Sequence, residues 1–430
     1  MVQDEAGISG IREIGARMVA ATPQDSANFF GFYDLCPFSP DGRDLLLLNC
    51  PADWVTLPVG EPALVRRWRP EDATFEALGE TRGWNWQHGA RQQWLRDGSI
   101  LYNDVDGQGH AVARHVSPDG TPIRTLDMAI GALSPDESIG VGGNYARLAR
   151  LDPTYGYGAA VDRHLGEGPT QDGLWSVSMA DGAVSLLLSY AELAEIVGSP
   201  HSDRRFVTHP VFSPDGTRLA FFVTDAGEGG TTYARLLVRD CASGKVRVVA
   251  QERVSHPAWI GEDRIWYWGR NSGAVRALAT NRLLANPAVR AVGRFARRLL
   301  RARMNQLVAE GFYVSDLNDD TRKRVAEHTL TEDGHYSWRG HGSVLLGDTY
   351  PDEDAWLTLL LFDLASGQRV DLARIRHEVA TREEPMRCDL HPRWDRSGTR
   401  VCIDFVTDGC RRTGIFDVGP ALSRLATAGA

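Results

Sequence analysis

Residues 212–222 read FSPDGTRLAFF: an aromatic residue, a Ser-Pro-Asp-Gly turn, then an apolar run. Proline presets φ in the turn, glycine supplies the positive φ, and the residues that follow suit a pleated, half-buried surface. The stretch predicts a β-hairpin. The same unit recurs as FSPDGRDLLLL (38–48), WLRDGSILYN (94–103), LSPDESIGVGG (133–143), WIGEDRIWYW (259–268), WRGHGSVLLGD (338–348) and WDRSGTRVCIDF (394–405), seven times in all. A second hairpin follows most of them, as in TYARLLVRDCASGKVRVV (232–249) and LTLLLFDLASGQRVDL (357–372). Two hairpins make a four-stranded sheet with two bare faces and an edge; seven such sheets around an axis cover one another. The expected fold is an all-β, seven-bladed β-propeller formed by 1–430 as a single domain, with a repeat of roughly 40–60 residues.

Two stretches break the repeat. Residues 144–170, rich in Tyr, Arg and Gly, read as a loop insertion. Residues 286–310 read as an inserted basic helix. Asn286-Pro287 supplies the N-cap and first position, and Gly311 the stop. Phe295 and Leu299 lie on one face, and Arg294, Arg297, Arg298 and Arg301 on another. The plain expectation is a solvated helix packed on the propeller's side. The sharper one is a basic lid or a membrane-surface contact.

Composition narrows the function. A net charge of −9 argues against a general nucleic-acid binder, which needs a basic footprint. Six cysteines without a CxxC pair suit a reducing compartment. The first 25 residues lack the apolar core of a signal peptide, and no run of about 18 apolar residues occurs, so the expected location is cytoplasmic.

Four histidines share one register, each three residues ahead of the aromatic that opens a hairpin: His209-Pro-Val-Phe212, His256-Pro-Ala-Trp259, His335-Tyr-Ser-Trp338 and His391-Pro-Arg-Trp394. In a propeller the first strand of each blade lines the central channel, so equivalent positions converge at one mouth. A lone histidine is usually a satisfied structural residue; four in register in consecutive blades point to a site. Folding 335–348 about its turn places Asp348 beside His335, and Cys388 lies just ahead of His391. His335, Asp348, Cys388 and His391 thus form an expected metal set. Its sulfur favours Zn2+, with Mn2+ or Ca2+ as alternatives. Taken alone, Cys388 reads as a small buried apolar group; beside His391 it reads as a ligand. His256 is a possible extra or substitute ligand. A second group comprises His88, His110 and, within 144–170, Tyr145, Arg147, Arg150, Tyr155 and Tyr157. Such residues suit proton abstraction next to a neutralised carboxylate. For any single tyrosine the structural alternative is aromatic packing in an inter-blade loop.

The seven hairpins, with DGHYSWRGHGSVLLGDTYP (333–351) and RCDLHPRWDRSGTRVCIDF (387–405), resemble the β-propeller polysaccharide lyases: the oligogalacturonate, ulvan and rhamnosyl-glucuronate lyases. The resemblance covers most of the chain through short motifs. Resemblance to the oligogalacturonate group implies metal binding by His335 and by a Gln-x-x-His segment. Here His391 matches that histidine, Cys388 replaces the glutamine, and His256 matches the catalytic base. Resemblance to the other two groups implies two catalytic histidines about twenty residues apart, a downstream tyrosine and arginine, and a zinc with Cys and His ligands. His88 and His110 fit that spacing, Tyr155 or Tyr157 follows, and Cys388 favours this second pattern.

The expected activity is β-elimination on a uronic-acid glycoside, an oligosaccharide or a glycoconjugate. His88, Arg147 or Arg163 would neutralise the C6 carboxylate, and Tyr155, Tyr157 or His110 would move the C5 proton. His209 and His256 complete the candidates. A non-catalytic propeller that binds a glycan or a partner protein is the rival expectation. A propeller peptidase is not expected, because no G-x-S-x-G elbow occurs.

Overall fold

The computed structural model describes residues 8–51, 60–161, 168–200, 202–227, 232–251, 253–270, 310–378 and 386–428. Its strands form seven antiparallel sheets, one per expected hairpin unit. Blades 1 to 7 begin at Ala27, Gln93, Ala132, Arg205, Ser255, Tyr336 and Arg393. In blade 4, for example, Arg205–Phe212, Arg218–Ala226, Thr232–Asp240 and Val246–Gln251 pair in chain order. The FSPDG turn joins the first two, and Ser213 donates to Asp215 across it at 2.5 Å. Blade 7 takes its fourth strand from the start of the chain, Arg17–Ala21 on Cys410–Asp417. Ile11–Glu13 adds a fifth strand to blade 6. These pairs join the chain's beginning to its end and close the ring.

The aromatic that opens the hairpin has a physical task. Trp94 donates its indole N–H to Pro37 O of blade 1 at 3.0 Å, Trp259 to Val211 O of blade 4 at 3.1 Å, and Trp394 to Ser337 O of blade 6 at 3.2 Å. Each is a large apolar wedge whose one polar atom hydrogen-bonds to the preceding blade. Between blades the cores are apolar. Ala220, Phe222, Leu236 and Val238 of blade 4, for instance, share a cluster with Trp259, Ile265, Tyr267 and Tyr313 of blade 5.

Residues 144–170 are not loop throughout. Tyr145–Leu151 forms a short helix, α1, because Asn144 caps it, its side chain accepting from Arg147 N, and because Tyr145, Ala146 and Leu148 are buried. Among the described residues two further helices are α2, Tyr190–Ile196, with a Ser189–Glu192 capping box, and α3, Gly419–Ala428. The expected basic helix is 286–310; all of it but Glu310 lies outside the described residues, as does Arg163. Among the described residues no helix is long and apolar enough to cross a membrane.

Candidate metal and acid–base centre

The in-register histidines reach the channel by a distortion. His209, His256 and His391 have φ of 52°, 49° and 45°. Strand pairing slips between Thr208 and Val211 and between Ser255 and Ala258, so the His-Pro dipeptide is a bulge that re-aims its imidazole. A non-glycine residue in this region costs on the order of 1 kcal/mol, which the surroundings must offset. Arg91 has φ of 53° and stands three residues ahead of Trp94. It is a further member of the register, and Arg91-Gln-Gln-Trp94 carried the signal.

The rings converge on two residues that sequence reasoning missed, Phe32 and Tyr33. The Phe32 ring lies 4.4 Å from His88, 5.2 Å from His209, 4.8 Å from His391 and 6.1 Å from His335. Tyr33 lies 5.3 Å from His335, and its hydroxyl donates to Pro257 O at 3.1 Å. Their segment is anchored at both ends. The amides of Phe30 and Gly31 donate to Asp404, and Asp34 takes both terminal nitrogens of Arg91 at 2.8 and 2.7 Å. Gly31 is required: its φ is +109°, and a Cβ there would lie 2.7 Å from His88 O.

On one side of Phe32, ligand atoms of His335, Asp389 and His391 lie within 4.8 Å of one another, all three residues buried. Three N–H groups converge on Asp348: Nδ1 of His335 at 3.0 Å, its amide at 2.7 Å, and the amide of His391 at 3.2 Å. A carboxylate satisfies all three, although burial works the other way and raises this carboxyl well above its ordinary range. The bond leaves His335 Nε2 for the site. His391 Nδ1 donates to Gly31 O at 2.8 Å, and its Nε2, buried, has no partner. Asp389 Oδ2 accepts from Arg387 at 2.7 Å, while its buried Oδ1 has none. Orphaned buried nitrogen and oxygen this close together are what a cation satisfies. Protonation agrees. Burial pushes His335 down to about 3 and His391 well below its usual value. Burial would raise Asp389, but Arg387 and the two imidazoles outweigh it and hold the carboxyl at about 2. Two neutral imidazoles and a carboxylate could hold a divalent cation.

The expected ligand set therefore changes. Asp348 stands behind His335 as its orienting partner. Cys388 belongs to the core with Phe29, Trp86 and Trp94 and is not one of the three grouped residues; burial raises its thiol to about 12. Its neighbour Asp389 supplies the third group. The missed signal is an Asp two residues before the histidine in consecutive blades, Asp333-Gly-His335 and Asp389-Leu-His391. Without sulfur the case for zinc alone lapses; the set suits zinc and manganese alike, and calcium less, since calcium takes oxygen ligands.

Beside this set, the His256 ring lies 4.3 Å from His335. Its Nδ1 is 2.8 Å from Asp333, which also accepts from Ser255, and its Nε2 is 3.4 Å from the hydroxyl of Tyr350. Burial pushes His256 down, but the Asp333 carboxylate prevails and raises it. Burial, with Asp389 and Asp333, raises the Tyr350 phenol well above its ordinary value. On the far side of Phe32, Tyr155 lies 4.6 Å from His88 and 4.7 Å from His209.

Other expected residues lie elsewhere. His110 sits in the turn between the second and third strands of blade 2, 3.5 Å from Asp106, and is not among the rings around Phe32. Tyr157 is fully buried, stacked on Tyr145 at 4.1 Å and bonded by Asn103 at 2.8 Å. Arg147 donates to the carbonyls of Arg205 and Asp203 and lies over the Tyr190 ring, holding α1 to blade 4.

No family model and no curated protein matches the chain. Its fold is similar to that of an oligogalacturonate lyase from Vibrio parahaemolyticus, at 14% identity over 96% of this chain and 99% of that one, TM-score 0.58. It is also similar to a chain of the mitotic checkpoint complex (10% identity, 95% and 93% covered, TM-score 0.51) and to a prolyl endopeptidase, of which it spans 48% (12% identity, 92% of this chain, TM-score 0.52). At such identities the likeness establishes the fold alone, a seven-bladed β-propeller.

Proposed function

We propose that this centre belongs to a metal-dependent polysaccharide or oligosaccharide lyase that cleaves a uronic-acid glycoside by β-elimination. The observation that carries the proposal is the His335–Asp389–His391 set buried beside the His256–Asp333 pair, with the Tyr350 hydroxyl 3.4 Å from His256 Nε2. A bound divalent cation would neutralise the substrate's C6 carboxylate and so acidify the C5 hydrogen. His256 Nε2 takes the C5 proton, and Asp333 stabilises the imidazolium that forms. As the C4–O4 bond breaks, its electrons leave with O4, which takes the proton of the Tyr350 hydroxyl. That phenol is protonated at neutral pH, as a donor must be. The 3.4 Å contact then lets the imidazolium return its proton to the phenolate, restoring both groups. The fold's likeness to an oligogalacturonate lyase supports this reading, and within it the expected roles of His110, Tyr157 and Arg147 are not retained.

The test is ultraviolet absorbance of the conjugated, unsaturated uronate during incubation of the metal-loaded protein with uronic-acid oligosaccharides. Product is expected from the native chain and its loss from His256→Ala. Binding of the oligosaccharides without product would instead favour a non-catalytic glycan-binding propeller.

A further inference from the structure

Across Phe32 from the cation set lies a crevice lined by Asp34, His88, Arg91, Tyr145 and His209. It has room of about 20 Å³. That is enough for one water-sized group and too little for a sugar ring. Its hydrogen-bonding capacity is unfilled: His88 Nε2, His209 Nδ1 and Arg91 Nε are buried without partners, His88 being only 6% and Arg91 4% exposed. Its charge, by contrast, is already balanced. Both terminal nitrogens of Arg91 are taken by Asp34, and one of them also bonds Gly131 O. Burial keeps both histidines neutral, pushing His209 to about 3 and His88 well below its usual value. A carboxylate entering here would be desolvated beside Asp34, with no free cation among the lining residues to meet it. A hydroxyl both donates and accepts, and so can satisfy the open nitrogens. The Tyr155 ring beside both histidines offers an apolar face for the sugar that carries it.

We propose that this crevice is a subsite for an uncharged sugar, entered by one hydroxyl or hydroxymethyl group, so that the substrate joins a uronate to a neutral sugar rather than to a second uronate. The inference rests on the proposed elimination and specifies its substrate. The test compares two disaccharides that share the reacting uronate, one with a neutral neighbour and one with a second uronate. The native protein should show kcat/KM at least about tenfold higher for the mixed disaccharide. Asp34→Asn releases the charge of Arg91 and should narrow or invert that ratio; if this variant does not fold, the native ratio still decides. Equal rates, or a preference for the diuronate, would overturn the subsite. If neither disaccharide yields unsaturated product, the elimination reading fails, and calorimetry separates the two ideas. Tighter binding of the mixed disaccharide upholds the crevice by itself, and tighter binding of the diuronate overturns it.

Discussion

Asp348→Asn changes one oxygen to an NH2 group at nearly constant shape, at a residue only 1% exposed. The carboxylate accepts at Oδ1 from the amide and Nδ1 of His335 and at Oδ2 from the amide of His391. In its better orientation the asparagine keeps its oxygen toward His335 and turns its NH2 toward the His391 N–H. Donor then meets donor, and one buried N–H loses its acceptor, at a cost of about 1–3 kcal/mol. In the other orientation the NH2 faces His335, favours the tautomer protonated on Nε2, and removes that nitrogen as a ligand. Either way the two candidate imidazole ligands lose their common support. Outer-shell changes of this kind weaken metal binding about 10–100-fold, or about 1.4–2.7 kcal/mol. Denaturant unfolding of the metal-free protein reads the first loss, and competition with a chelator for Zn2+ and for Mn2+ reads the second. A variant that holds either metal as tightly as the native chain would refute the orienting role of Asp348.

Four further outcomes follow from the geometry. Cys388→Ala should retain full metal stoichiometry while losing about 1–2 kcal/mol of stability from a small cavity; loss of metal by atomic absorption would restore the thiol as a ligand. Gly31→Ala combines a forbidden φ with a clash against the His88 backbone, so its denaturant midpoint should fall by the equivalent of about 2–5 kcal/mol. Burial raises the Asp404 carboxyl to about 7, against about 3.9 unfolded. The folded state then holds the extra proton, so this residue's contribution is most favourable below about pH 4. It falls by at most about 4 kcal/mol as pH rises to 7. Unfolding midpoints across that range should decline less in Asp404→Asn than in the native chain. Deleting residues 1–21 removes the fourth strand of blade 7 and the fifth of blade 6, and should leave an aggregating product by light scattering.

Much of the fold was legible because its signals are local. Each turn is set by four or five adjacent residues; the seven hairpins of the repeat unit join the first and second strands of a blade, and the second hairpins at 232–249 and 357–372 join the third and fourth. The site was legible only in register. Spacing placed His209, His256, His335 and His391 in the channel, and the same spacing at Arg91 passed unnoticed because the residue is not a histidine. Within a register, sequence proximity misled. Cys388 is three residues from His391 yet turns into the core, while Asp389, one residue later, turns to the site. His88 and His110 share a plausible spacing, but one follows the last strand of blade 1 into the channel and the other occupies the turn between the second and third strands of blade 2, beside Asp106.

The order of residues by itself determined the blade count, the hairpins and the histidine register, since periodicity and turn chemistry depend on neighbours along the chain. Only the closed ring decided which groups meet. Phe32 and Tyr33 sit among histidines from blades 4, 5, 6 and 7, and His335 beside Asp389 and Asp34 beside Arg91 come from elements far along the chain. Those meetings depend on the direction each side chain takes from a bulged or extended backbone, and packing across the axis sets that direction.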